Sequence, residues 1–187
     1  MSGIILLVWI LLIIRVINRT SGKHASILDS LVIMGFGVWF TYQEGWIYML
    51  ITLLVFLLDS WMSSPNKNHR YFAFISFIIL VASIIFGVSM TLNIPSFLNR
   101  LILLLISILF LLQISASSRI RSFDDQGICR LESKRVRVSQ LMILITGLSI
   151  VFLGNDYGMM SMIPLWVAIS GVSVYRLIIV TGKYLSL

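Results

Sequence analysis

The sequence predicts an all-α, polytopic transmembrane helix bundle: three helical hairpins plus a short N-terminal helix, six or seven spans in a single domain over residues 1–187. Three observations predict it. The first is composition: of 187 residues, 59% are hydrophobic and 11% charged, with a mean hydropathy of +1.03. Soluble domains carry about 25% charged residues, and so few polar side chains cannot cover a water-facing surface. The second is pattern, since the apolar residues fall in three blocks that each carry turn chemistry near the middle. The third is sidedness, because thirteen of the fourteen Lys and Arg, against seven Asp and Glu in all, collect at one end of that arrangement.

The lead segment, residues 3–17, is apolar but short, about 22 Å as a helix against a hydrocarbon core of about 30 Å. Arg15 and Arg19 follow it, positioned to snorkel at its inner end. With no basic stretch before it and no small-residue cleavage site, it reads as a seventh span, with an interfacial helix as the other reading. Each later block is too long for one span. Ile27–Met62 turns at Tyr42-Gln43-Glu44-Gly45, giving spans 26–42 and 46–62. Tyr71–Ser115 turns at Thr91 to Ser96, giving spans 71–91 and 96–115. Val136–Val180 turns at Gly154 to Gly158, giving spans 137–153 and 159–180. Gly, Asn, Asp and Pro supply the backbone angles and local hydrogen bonds that turns use. Between the second and third blocks lies the one sizeable loop, residues 116–136, which is basic.

All the basic residues except Arg100 fall on the side that holds this loop. The positive-inside rule makes that side cytoplasmic, with the C-terminus inside and the N-terminus outside if the lead segment spans. A bacterial inner membrane is the expected location. Tyr42, Trp46, Tyr48 and Tyr157 on one side, and Trp61, Tyr71, Tyr175 and Tyr184 on the other, form the interfacial belts expected of amphipathic rings.

Candidate functional residues are few. Asp29 and Asp59 each sit in a Leu-Asp-Ser triplet, fifteen residues on either side of Glu44. A hairpin would bring them to one depth, as an ion or proton site or as members of ion pairs. For Asp29 the spacing from Ser26 also fits a capping box. For Asp59, Arg15, Arg19, Lys67 and Arg70 are candidate partners. Ser83 and Gly87, with Ser170 and Gly171, are candidate helix-packing positions, because small residues let helices approach. Arg119, Arg121, Arg130, Lys134, Arg135 and Arg137 are candidate contacts to anionic inner-leaflet lipid or to a cytoplasmic partner.

The sequence gives no sign of catalysis, metal or cofactor. His24 and His69 lie in connectors without metal-ligand spacing, and the single cysteine, Cys129, has no paired base nearby. The expectation is a non-enzyme with membrane lipids and other membrane subunits as partners and no nucleic acid. The function that fits is a non-catalytic subunit of an export, secretion or energy-coupling complex. Alternatives are a small transporter or substrate-binding subunit, and an immunity or exclusion protein acting within the membrane.

Overall fold

Residues 3–19, 25–88, 92–117, 132–153 and 158–185 are described by a computed structural model of the chain. They form seven helices and, among the described residues, no strand: α1 (Gly3–Asn18), α2 (Ile27–Glu44), α3 (Ile47–Trp61), α4 (Asn68–Ile85), α5 (Phe97–Ala116), α6 (Ser133–Leu153) and α7 (Gly158–Leu185). Four are long and apolar enough to cross a membrane: α4, α5, α6 and the stretch Met160–Ile178 of α7. Helices α1 and α3 are shorter apolar helices, and α2 is as long as α4 but carries Asp29 and Glu44 near its ends. The all-helical bundle is therefore as the composition and the block pattern predict.

Helix limits follow local chemistry. Ser26 caps α2 by accepting from the Asp29 backbone N–H at 3.1 Å, while the Asp29 carboxylate accepts from the Ser26 N–H at 3.0 Å. This reciprocal capping box satisfies two N–H groups that a helix start leaves without partners. Gly45 ends α2 at a φ of 134°, a value disfavoured for residues with a Cβ. Two limits differ from expectation. Helix α4 covers Asn68–Ile85 rather than 71–91, so His69 and Arg70 are helical. Helix α6 starts at Ser133 rather than 137, which draws Lys134 and Arg135 out of the expected loop and into its first turn.

The packing order is the main departure from three simple hairpins. Helices α2, α3 and α4 pack on one another, as do α5, α6 and α7, and α1 lies between these two sets, touching α2, α3, α6 and α7. Among the described residues α4 touches only α2 and α3, and α5 only α6 and α7. These two consecutive helices therefore occupy opposite flanks and do not pack as a hairpin. Of the turn expected at Thr91 to Ser96, Thr91 lies outside the described residues, and residues 92–96 belong to a crossover: the Asn93 N–H donates to the Phe152 carbonyl at the end of α6, 2.9 Å away. Asn93 and Pro95 lie beside α6 and α7 residues Val151 and Met160.

Helix α1 is central, not peripheral. Leu6, Trp9, Ile10, Ile13, Val16 and Ile17 bury one stripe at helical spacing. Trp9 meets Phe40 of α2 edge-on at 5.5 Å between centroids and Tyr48 of α3 at 5.7 Å. Helices α2 and α3 close because Gly37 lacks a side chain: a Cβ there would lie 2.4 Å from Thr52 Oγ1. Gly147 of α6 gives room to Trp166 of α7 in the same way, at 3.3 Å. Outward, α4 and α5 expose Phe74, Phe77, Ile78, Leu101, Leu104 and Leu105. An apolar exterior of this kind is compatible with a membrane-embedded protein.

Candidate functional site

One end of the bundle gathers the C-terminal ends of α1 and α3 with the N-terminal ends of α2, α4 and α6, and its centre is Asp59. This carboxylate lies two residues from the end of α3 and is fully buried. Its position opposes the helix dipole, whose negative end is at the C-terminus. Three side chains from other segments compensate. Arg135 of α6 donates from Nη1 to Oδ1 at 2.7 Å. Arg19, just past α1, donates from Nη2 to both oxygens at 3.0 and 3.1 Å. His69, in the first turn of α4, donates from Nδ1 to Oδ2 at 2.7 Å. A carboxylate offers about four lone-pair sites, and these four contacts take them up.

The cations make further contacts of their own, although Arg19 Nε is buried without a hydrogen-bond partner. Arg135 also donates from Nη1 to the Ile17 carbonyl at 3.1 Å and from Nη2 to the Ser63 carbonyl at 2.6 Å. Its Nε lies 3.4 Å from the Glu132 carboxylate, which in turn accepts from the Ser63 hydroxyl. Arg19 donates from Nη1 to the Ser64 carbonyl at 2.6 Å. Arg19 and Ser64 both have a φ of 50°, the left-handed region that residues with a Cβ seldom adopt. Burial, the largest influence, lowers the Arg19 pKa below its ordinary value, and the opposing pull of Asp59 is partly offset by Arg135.

A proton must sit on His69 Nδ1, because an ionised carboxylate can only accept. The other ring nitrogen, Nε2, lies 3.0 Å from Ser30 Oγ and 3.3 Å from Asn66 Nδ2. Asn66 Nδ2 also donates to the Ala25 carbonyl at 3.0 Å, which ties α2 to the α3–α4 connection. The Ser30 hydroxyl also donates to the Ser26 carbonyl at 3.2 Å, so the donor that faces Nε2 is the Asn66 amide. The network thus fastens α1, α2, α3, α4 and α6 at one end, with every charged member internally partnered.

The predicted site residues divide accordingly. Asp59 enters ion pairs, with Arg19 as one expected partner, whereas Arg15, Lys67 and Arg70 make none with it among the described residues. Asp29 is half-buried in its capping box and does not meet Asp59. Arg135, expected at lipid or a partner, is buried against Asp59 instead; Lys134 and Arg137 are exposed. Arg119, Arg121 and Arg130 lie outside the described residues. Ser83 is buried and donates to the Leu80 carbonyl of its own helix, and Ser170 does likewise to Val167. A Cβ on Gly87 or Gly171 would meet nothing within 4 Å, so close approach falls to Gly37, Gly147 and Gly3, where a Cβ would lie 3.3 Å from the Ser161 carbonyl of α7. Gly87 instead follows the end of α4 at a φ of 73°.

His69, Ser30 and Arg135 are the members of the site that sequence reasoning missed. One signal was present for Arg135. Lys134, Arg135 and Arg137 put three cations at the positive end of a helix dipole, which calls for an external anion. Among the described residues no group of three or more His, Cys, Asp and Glu is arranged to hold a metal ion. The chain matches no family model, no curated protein and no solved structure.

Proposed function

We propose that the protein is a non-catalytic integral membrane subunit of a larger complex, of the export, secretion or energy-coupling type, with its cationic end facing the cytoplasm of a bacterial cell. The outward face of α5 carries this reading. Leu103, Phe110 and Ile114 are its only fully buried residues, a narrow strip against α6 and α7. On the opposite side Leu101, Leu105, Ile108 and Leu112 are exposed at spacings of four, three and four. That is the a and d periodicity of a helix that inserts knobs into a neighbour's holes. Lipid requires only that such a face be apolar; a partner helix also uses its regularity.

The saturated Asp59 supports the same reading. A carboxylate held by Arg19, Arg135 and His69 has no acceptor position left for a translocated cation. The basic segment 116–136 and the exposed Lys134 and Arg137 would add contacts to anionic lipid or to a cytoplasmic partner. A small transporter is the second reading. It is favoured by the buried hydrogen-bonded chain from Asp59 through His69 to Ser30.

Photo-crosslinking tests the first reading in native membranes. A photoreactive residue at Leu105 or Ile108 is expected to capture a discrete protein band, and the same residue at Phe74 on the opposite flank a different one or none. Capture of lipid alone at all three positions, with a clean monomer in mild detergent by native mass spectrometry, would refute the subunit reading.

A further inference from the structure

We propose that the groove between α3 and α4 is a binding site for one anionic phospholipid. It encloses about 350 Å³, at the small end of the range of roughly 300–1,000 Å³ for ligand sites. Its polarity is graded along its length. Leu53, Leu57, Phe74 and Phe77 make the walls, and Trp61 and Arg70 stand together at the end that holds the Asp59 network. From Leu53 to Trp61 the groove follows α3 for about 12 Å, running from the middle of the helix to its end. This is the layout of a phospholipid: an acyl chain among the Leu and Phe side chains, and a phosphate beside a guanidinium at the depth where an indole ring anchors.

Charge complementarity selects the anionic class. Arg70 lies at the positive end of the α4 dipole, where a cation is unfavourable unless an anion is near. It has no acidic partner among the described residues, and the first turn of α4 contains none. The adjacent His69, about 100° round the helix, points inward to Asp59, while Arg70 lines the groove. Occupancy of the groove would thus brace the turn that supplies one member of the buried network.

The test is native mass spectrometry of the delipidated full chain, titrated with phosphatidylglycerol or with phosphatidylcholine of the same acyl chains. The wild type is expected to prefer phosphatidylglycerol. Arg70→Gln should weaken that lipid about fivefold, the value of one basic residue near a charged headgroup, and leave phosphatidylcholine unchanged. Leu57→Trp, which fills the groove, should weaken both. A double Lys134→Gln, Arg137→Gln variant should behave as wild type, and inorganic phosphate at equal concentration should not displace the lipid. Unchanged preference in Arg70→Gln, unchanged binding in Leu57→Trp, loss only in the double variant, or displacement by free phosphate would each overturn the proposal. Circular dichroism and a single detergent-solubilised peak identify any variant that fails to fold, for which Arg70→Lys is substituted and is expected to retain the preference.

Discussion

Arg135 reaches Asp59 at 2.7 Å across 76 positions of sequence, and each residue stands at the wrong end of its own helix. An acid near the C-terminal end of α3 and a base in the first turn of α6 both oppose the local dipole. Brought together they neutralise one another, and each then helps its partner's helix end. The pair, with Arg19 and His69, makes that end of the bundle a fixed junction between its two halves.

Asp59 is the hub, so its removal should cost more than loss of any one partner. Asp59→Asn leaves Arg19 and Arg135 close together without an anion between them, a change expected to destabilise by about 3–5 kcal/mol. Arg135→Gln leaves Asp59 still paired with Arg19 and His69, and should cost less. Thermal unfolding in detergent, followed by tryptophan fluorescence, checks the order. Equal midpoints for the two variants would show that the junction does not rest on the carboxylate.

His69 offers a sharper comparison, because only its Nδ1 proton is needed by Asp59. In His69→Asn the amide nitrogen replaces Nδ1 at nearly the same distance from the backbone and can still donate. Leucine preserves bulk but leaves one carboxylate oxygen with fewer partners, a loss of about 1–3 kcal/mol. The expected stability order by thermal unfolding is wild type, then His69→Asn, then His69→Leu. A leucine variant as stable as the asparagine variant would assign His69 to packing alone, against Phe56 and Phe72.

Fold class was legible because hydrocarbon imposes a coarse rule: long apolar runs, polar turns and basic residues gathered at one end. The capping box at Ser26 and Asp29 was legible for a different reason, since its geometry is local to four residues. Packing order was not. A Gly, Asn and Pro-containing connection reads the same whether it closes a hairpin or crosses the bundle, so the separation of α4 from α5 left no mark in composition. Arg135 and His69 looked like connector residues because α4 and α6 begin several residues before their apolar stretches. Those polar first turns are what bring the two side chains under Asp59. Gly87 drew attention through its spacing from Ser83, whereas Gly37, the glycine that admits Thr52, sits among aromatic residues, and Thr41 four positions on was not paired with it.

Orientation can be read directly. Glu44 lies at the end of the bundle remote from the Asp59 network, and Lys67 at the same end as it. Glu44→Cys is expected to react with a membrane-impermeant maleimide in intact cells. Lys67→Cys should react only after permeabilisation, in each case with Cys129 replaced by serine. The reverse pattern would invert the orientation inferred from the basic residues, and labelling of both sites in intact cells would argue against α3 as a span.

Close approach of α2 and α3 rests on Gly37. A Cβ placed 2.4 Å from Thr52 Oγ1 cannot be accommodated by rotating the hydroxyl alone, because Thr52 Cβ and Cγ2 lie at 3.2 and 3.3 Å. The helices would have to separate, disturbing Trp9, Phe40 and Tyr48 beside them. Gly37→Ala should therefore destabilise by about 1–3 kcal/mol, the usual cost of overpacking. Gly171→Ala, where a Cβ meets nothing, should be neutral or slightly stabilising through better helix propensity. Thr52→Ala removes both atoms beyond the Cβ, so the Gly37→Ala, Thr52→Ala double variant should regain part of the loss. A double-variant cycle by thermal unfolding measures that coupling directly, and strict additivity would mean that the clash is not what destabilises Gly37→Ala.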